Sequence, residues 1–318
     1  MFLAVGLDAV PAAATFPGPN GKIAFVRGGN IWVMNPNGSG QVRLTGVGTA
    51  AHPQWSADGR RIAYDRGSAS AGRNIWVMNG DGSGKYQVTF HSGNELDPAW
   101  SPDGTWLAFV SDRRGRGEIF KLHSTAPFGK AIRLTTTAGT GTPEPTPEDP
   151  YLSDMQPSWS PSGARISFSR YQRSDDASAF SYGIELTTMD PDGSGLRQRH
   201  VPNGLGETCS NWRPGSGRIL WVDDEFEFTD AQASNNVWHS KPDGSDQQKV
   251  TQFDQDPDAF WDLQCASWAP SGTGSIVFSG SSGDDVVPTL YRVAADGLSP
   301  PVAIASAGSD PDWGRVPA

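Results

Sequence analysis

Acidic and titratable side chains recur in this chain at fixed distances ahead of tryptophans. Glu95, Asp154 and Glu207 each stand five residues before one (Trp100, Trp159 and Trp212). His52, Asp97, Gln156, Cys209, Cys265 and Asp310 each stand three residues before one, and Trp55, Trp268 and Trp313 complete that series. In a repeating fold, equivalent positions are carried around one axis, so these residues are candidates for a ring. A ring of carboxylates offers the several oxygen ligands that Ca²⁺ takes. Hydrogen bonding to the backbone of neighbouring loops is the other use of the same groups. Glu95, Asp97, Asp154 and Glu207 are therefore the first candidate ligand-binding residues. If the chain is a catalyst, His91 is the best general base, with Glu95, Asp154 and Glu207 as its carboxylate partners.

Other candidates fall in irregular acidic and aromatic stretches. Asp254, Asp256 and Asp258 alternate as at the start of a calcium loop and could ligate a metal. Ala259 stands where such a loop needs glycine, and Cys265 where it needs a bidentate glutamate, so this is not an EF-hand. Trp261 and Asp262 follow, and Trp261, Phe260 and Tyr151 offer faces on which a sugar could stack. Cys209 and Cys265 share a repeat position and can form a disulfide if their Cα atoms come within about 7 Å. Two cysteines cannot make a disulfide-dense scaffold or a zinc module. There is no G-x-S-x-G elbow, phosphate loop or dinucleotide fingerprint. Ser101-Pro-Asp103-Gly104-Thr105-Trp106 superficially looks like a sialidase Asp-box but lacks the spacer between Asp and Gly.

The elements that must position these residues are strands. Pro53-Gln-Trp55-Ser-Ala-Asp58-Gly59, followed by Ile62-Ala-Tyr64, returns as Pro98-Ala-Trp100-Ser-Pro-Asp103-Gly104 with Leu107-Ala-Phe109. It returns again from Pro157 to Phe168, more weakly around Trp212 and Trp268, and in part at Asp310–Trp313. A second motif follows each copy, as in Asn30-Ile-Trp-Val-Met34 with Asn37-Gly-Ser-Gly40 and Asn74-Ile-Trp-Val-Met78 with Asp81-Gly-Ser-Gly84. Short apolar runs between Asp-Gly and Asn-Gly turns read as strands in tight hairpins. Four strands per repeat, at a period near 45 residues, mean propeller blades. The reading is all-β: a six-bladed β-propeller with four antiparallel strands per blade. One blade would be closed by strands from both termini, which removes the open sheet edge. These motifs resemble the TolB-type, WD40-like PD40 repeat over about residues 20–314. The resemblance implies a propeller. The bacterial protein of that name is a periplasmic envelope component with a further N-terminal domain, for which this chain has no room. Propellers of this type also occur fused to prolyl-oligopeptidase-type hydrolase domains, and the 318 residues hold no such domain.

Composition narrows the function. The chain has 25 basic and 35 acidic residues, a formal charge of −10, which argues against nucleic-acid binding. No apolar stretch reaches the ~20 residues of a membrane-spanning helix. Residues 1–16 look like the remnant of a secretion signal, with Ala12-Ala13-Ala14 as a cleavage pattern, leaving 17–318 as a single propeller. The turns after the first and third strands of each blade are short and repetitive. The connections on the opposite face are long and irregular (136–155, 171–182, 223–235 and 253–264), so that face is expected to carry the site. The leading expectation is an exported, non-catalytic module binding a protein or envelope component there. The alternative is a carbohydrate lyase or hydrolase using carboxylates, His91 or a metal at the channel mouth. A sugar-binding role ranks third.

Overall fold

The computed structural model describes residues 18–68, 72–125, 130–136, 151–173, 182–198, 206–224, 235–253, 261–272, 274–282 and 287–317. The expected secretion-signal remnant lies outside them. Strands β1 (Asn20–Arg27), β2 (Asn30–Met34) and β3 (Val42–Arg43) open the chain. The Trp55 blade is β4 (Ala50–Trp55), β5 (Arg61–Ser68), β6 (Gly72–Asn79) and β7 (Tyr86–Gln87). The Trp100 blade is β8 (Glu95–Trp100), β9 (Trp106–Ser111), β10 (Glu118–His123) and β11 (Ile132–Arg133). The Trp159 blade is β12 (Tyr151–Trp159), β13 (Ile166–Arg173), β14 (Tyr182–Met189) and β15 (Arg197–Gln198). The Trp212 blade is β16 (Gly206–Trp212), β17 (Ile219–Asp224), β18 (Val237–Ser240) and β19 (Gln248–Lys249). The Trp268 blade is β20 (Trp261–Trp268), β21 (Ser275–Ser282), β22 (Thr289–Ala294) and β23 (Val302–Ala305). β24 (Ser309–Arg315) pairs with β1, with Ile23 opposite Trp313, and completes the sixth blade as β24-β1-β2-β3.

Six four-stranded antiparallel sheets thus form the predicted six-bladed propeller. The inner strands β4, β8, β12, β16, β20 and β24 follow one another around the axis, and β24 returns to β4. Apolar clusters fill the spaces between blades. Ala63, Ile75 and Val77 of one blade pack against Trp100, Leu107 and Phe109 of the next. Leu220, Val222 and Val237 pack likewise against Trp268, Ile276 and Phe278. A blade is covered on both sides, so its middle strands read as continuous apolar runs, such as Ile62-Ala63-Tyr64, all wholly buried.

Repeated polar residues fasten the connections. Thr45, Thr89, Thr135 and Thr251 close the Leu-Thr and Val-Thr motifs. Each hydroxyl oxygen accepts a backbone N–H from the first half of a third strand, from Ile31, Ile75, Ile119 and Val237, at 2.8–2.9 Å. Asn30, Asn74 and Asn236 then accept N–H groups of the following crossover, from Gly48, His91 and Phe253. The Asp-Gly-Ser-Gly turns explain their glycines. Gly193 has φ +90°, and a methyl group there would collide with the Leu134 carbonyl of the preceding blade.

The candidate site at the channel mouth

One irregularity, repeated in every blade, builds the site. The pairing of inner and second strands slips at the same place in all six blades, between Ala51 and Gln54, Leu96 and Ala99, Met155 and Ser158, and their equivalents. Bulges bend a strand and re-aim the side chain they carry. The residue at the slip is the one three before the tryptophan. His52, Asp97, Gln156, Cys209 and Asp310 there have φ between +47° and +55°. That region is uncommon for non-glycine residues. Proline follows His52, Asp97, Gln156 and Asp310, and its missing N–H is tolerated at a bulge.

The result is the ring expected from the spacing. His52, Asp97, Gln156, Cys209, Cys265 and Asp310 surround a cavity of about 130 Å³ on the axis. They lie toward the start of the inner strands, the end that faces the long connections. Gln54, Ser158, Asn211, Ser267 and Asp312, one residue before the tryptophans, form its floor and also border a second cavity of about 50 Å³ walled by the six tryptophans.

Several ring members grip the next blade. Asp97 Oδ2 accepts the Gln156 N–H at 3.3 Å, and Gln156 Oε1 accepts the Cys209 N–H at 2.9 Å. Cys209 is joined to Cys265 by the expected disulfide, with Cα atoms 5.3 Å apart. The floor repeats the device. Asp312 accepts from Trp55 N–H at 2.6 Å, Gln54 from Trp100 at 2.6 Å, Asn211 from Trp268 at 3.3 Å and Ser267 from Trp313 at 3.2 Å. Ala99, without an acceptor, interrupts that series.

Charge is concentrated at one sector. His52 Nδ1 lies 2.5 Å from Asp65 Oδ2 and 3.2 Å from Asp97 Oδ1. Arg73 Nε donates to the other Asp65 oxygen at 2.5 Å. Burial disfavours a charged His52, but the charge of Asp97, the hydrogen bond and charge of Asp65, and Asp310 together carry it up to about 10. Asp65 stays below the usual carboxylate range: burial opposes this, and His52 and Arg73 prevail. Asp97 is raised, by burial first and also by Asp65 and Asp310, against the pull of His52. Burial pushes Asp312 up to about 6 despite its hydrogen bonds.

The other sequence candidates are distributed differently. Glu95, Asp154 and Glu207 are wholly buried. Glu95 accepts from Ser111 at 2.8 Å and Arg113 at 2.7 Å. Asp154 takes both arms of a bidentate pair with Arg170, at 2.7 and 2.8 Å. Glu207 accepts the Leu186 N–H at 3.1 Å. These three tie strands together behind the ring and do not line its cavity. A buried carboxylate needs such partners, which is why the position is acidic. His91 Nδ1 accepts the Gly93 N–H at 2.9 Å and lies 3.9 Å from Glu95. Asp262 is exposed near the start of β20. Asp254, Asp256, Asp258, Phe260 and the side chains of Trp261 and Tyr151 lie outside the described residues. The floor residues were not among the sequence candidates, although the same count back from tryptophan finds them. Asp65 had no such signal, because its counterparts in other blades are not acidic.

Residues 41–153 match the sequence model of the "TolB beta propeller domain", PD40. Within those residues, about a third of the chain, the repeats are similar to PD40 repeats. A TolB crystal structure from Acinetobacter baumannii has a TM-score of 0.69 at 16% identity, covering 93% of this chain and 67% of that one. A putative TolB from Agrobacterium tumefaciens has a TM-score of 0.62 at 17% identity, covering 91% and 90%. At those identities the likeness is one of fold. The "Uncharacterized peptidase YuxL" of Bacillus subtilis is 32% identical over 128 residues, 39% of this chain. This chain spans only 17% of the length of that relative. Among the described residues, no helix is long and apolar enough to cross a membrane.

Proposed function

We propose that this TolB-type propeller is an exported, non-catalytic module that binds a protein or cell-envelope component through the face around the channel mouth. The observation that carries this reading is the commitment of the buried carboxylates. Glu95 and Asp154 are each held by an arginine, and Glu207 by a backbone N–H, inside their own or a neighbouring blade. Groups so fixed support a rigid surface better than they serve proton transfer. Asp97, the exposed Asp262 and Trp261, which precedes it in the chain, are the contact residues in this reading, while Glu95, Asp154 and Glu207 tie strands together behind the ring. The disulfide supports an oxidising compartment, because such bonds persist outside the reducing cytosol.

The test is affinity capture from envelope and culture fluid of the native host, with three forms of the chain in parallel. They are wild type, Asp262→Lys at the mouth, and Leu298→Asp, an exposed site on the turn between β22 and β23. A partner held by wild type and Leu298→Asp but lost by Asp262→Lys supports the reading. A partner held equally by all three places the contact elsewhere. Capture of polysaccharide and no protein would favour the carbohydrate reading.

A further inference from the structure

The charged sector of the ring has a donor set of which the binding reading uses only Asp97. We propose that His52, Asp65 and Asp97 form a site for one divalent transition-metal ion, zinc by the nature of its donors, at the channel mouth. The three donor atoms lie within 4.8 Å of one another. One imidazole nitrogen with carboxylate oxygens is a zinc-type set, whereas Ca²⁺ takes oxygen alone. A tetrahedral zinc ion with bonds of about 2.0–2.1 Å sets its ligands about 3.3 Å apart. His52 Nδ1 and Asp97 Oδ1 are already 3.2 Å apart. Asp65 Oδ2, at 2.5 Å from the same nitrogen, has to withdraw by under an ångström.

The surroundings fit the same ion. Arg73 holds the far oxygen of Asp65, which orients the near one as outer-shell partners of metal ligands do. Three carboxylates, of Asp65, Asp97 and Asp310, act on His52, and one guanidinium answers them at Asp65. A divalent cation that displaces the His52 proton would balance that excess. The His52 side chain is 39% exposed and borders the axial cavity, which provides both an entry path and room for a water or an outside ligand in the fourth position. The fold delivers the set from separate elements: two slips in adjacent inner strands, and β5 for Asp65. None of its three ligands belongs to the Asp254–Asp258 stretch.

The full-length chain, stripped with EDTA, is titrated with ZnCl₂ by calorimetry, and its melting temperature is read with and without zinc. One zinc per chain and a raised melting temperature are expected. His52→Gln and Asp97→Asn should each weaken zinc binding at least by the 10–100-fold that loss of even a supporting group brings. Leu298→Asp, on the exposed turn between β22 and β23, should leave it unchanged. Circular dichroism and the metal-free melting temperature of each variant separate lost binding from lost folding. The spin-echo spectrum of Cu²⁺-loaded wild type should show coupling to imidazole nitrogen, a readout that needs no variant. Absence of zinc binding by wild type overturns the proposal. So does unchanged affinity in both variants, or binding of Ca²⁺ to the exclusion of zinc.

Discussion

Asp312 concentrates the tension of the axial floor in one side chain. It must accept the Trp55 N–H, and it does so where burial opposes its charge. Its folded pKa near 6 lies above that of a free carboxylate, near 4. The folded state therefore binds more protons between those values, and stability falls as pH rises from about 4 through 6. Asp312→Asn keeps an acceptor and loses the charge. It should be more stable than wild type at pH 7.5, on the order of 1–3 kcal/mol, with little gain at pH 4. Urea denaturation at both pH values checks this, and a variant that follows the wild-type pH profile would refute it. At this scale the sequence was partly legible. Counting back from each tryptophan found the ring, including the cysteine pair. It did not reveal that the carboxylates five residues back are consumed by Arg113, Arg170 and the Leu186 N–H, because those partners occupy no repeated position.

The blade is the element that the sequence announced most clearly. Each inner strand carries a tryptophan at or near its end, wedged against the preceding blade, and the Asp-Gly turns are short and regular, so pattern and packing coincide. Trp100 is 2% exposed, with the Arg61 guanidinium 4.5 Å from its ring centre. Trp100→Ala should cost about 3–5 kcal/mol, measured by denaturant midpoint at constant slope. The contact between the Trp159 and Trp212 blades is different in kind. Its described apolar cluster is only Leu186, Trp212 and Ile219. Hydrogen bonds supplement it: Trp212 Nε1 donates to the Ser158 carbonyl at 3.2 Å and to Ser167 Oγ at 2.9 Å. Ser167 takes the place of the alanines in Ile62-Ala63-Tyr64 and Leu107-Ala108-Phe109, a substitution visible in the sequence whose partner was not. Ser167→Ala should lower stability by roughly 1–2 kcal/mol, through the weakened indole contact.

At the scale of the whole molecule, closure rests on one covalent and one non-covalent lock. The disulfide spans 56 residues and joins neighbouring inner strands. Its loss should cost about 4 kcal/mol by loop entropy. Paired Cys209→Ser and Cys265→Ser substitutions should show that loss in a urea titration, and wild type under a reductant should match them. The second lock is β24 against β1. It was readable from the truncated repeat at Asp310–Trp313, because a blade missing three strands must borrow them. Residues as far apart as Arg27 and Ala307, 280 positions in sequence, meet there. Distance along the chain is also delay. At 5–20 residues per second, β1 waits on the order of 15–60 s after its own synthesis before β24 exists. Through that interval no ring can form, and β1 has an unpaired edge. The chain is thus obliged to stay open until β24 has been made, which is the form in which a polypeptide can be threaded through a narrow pore.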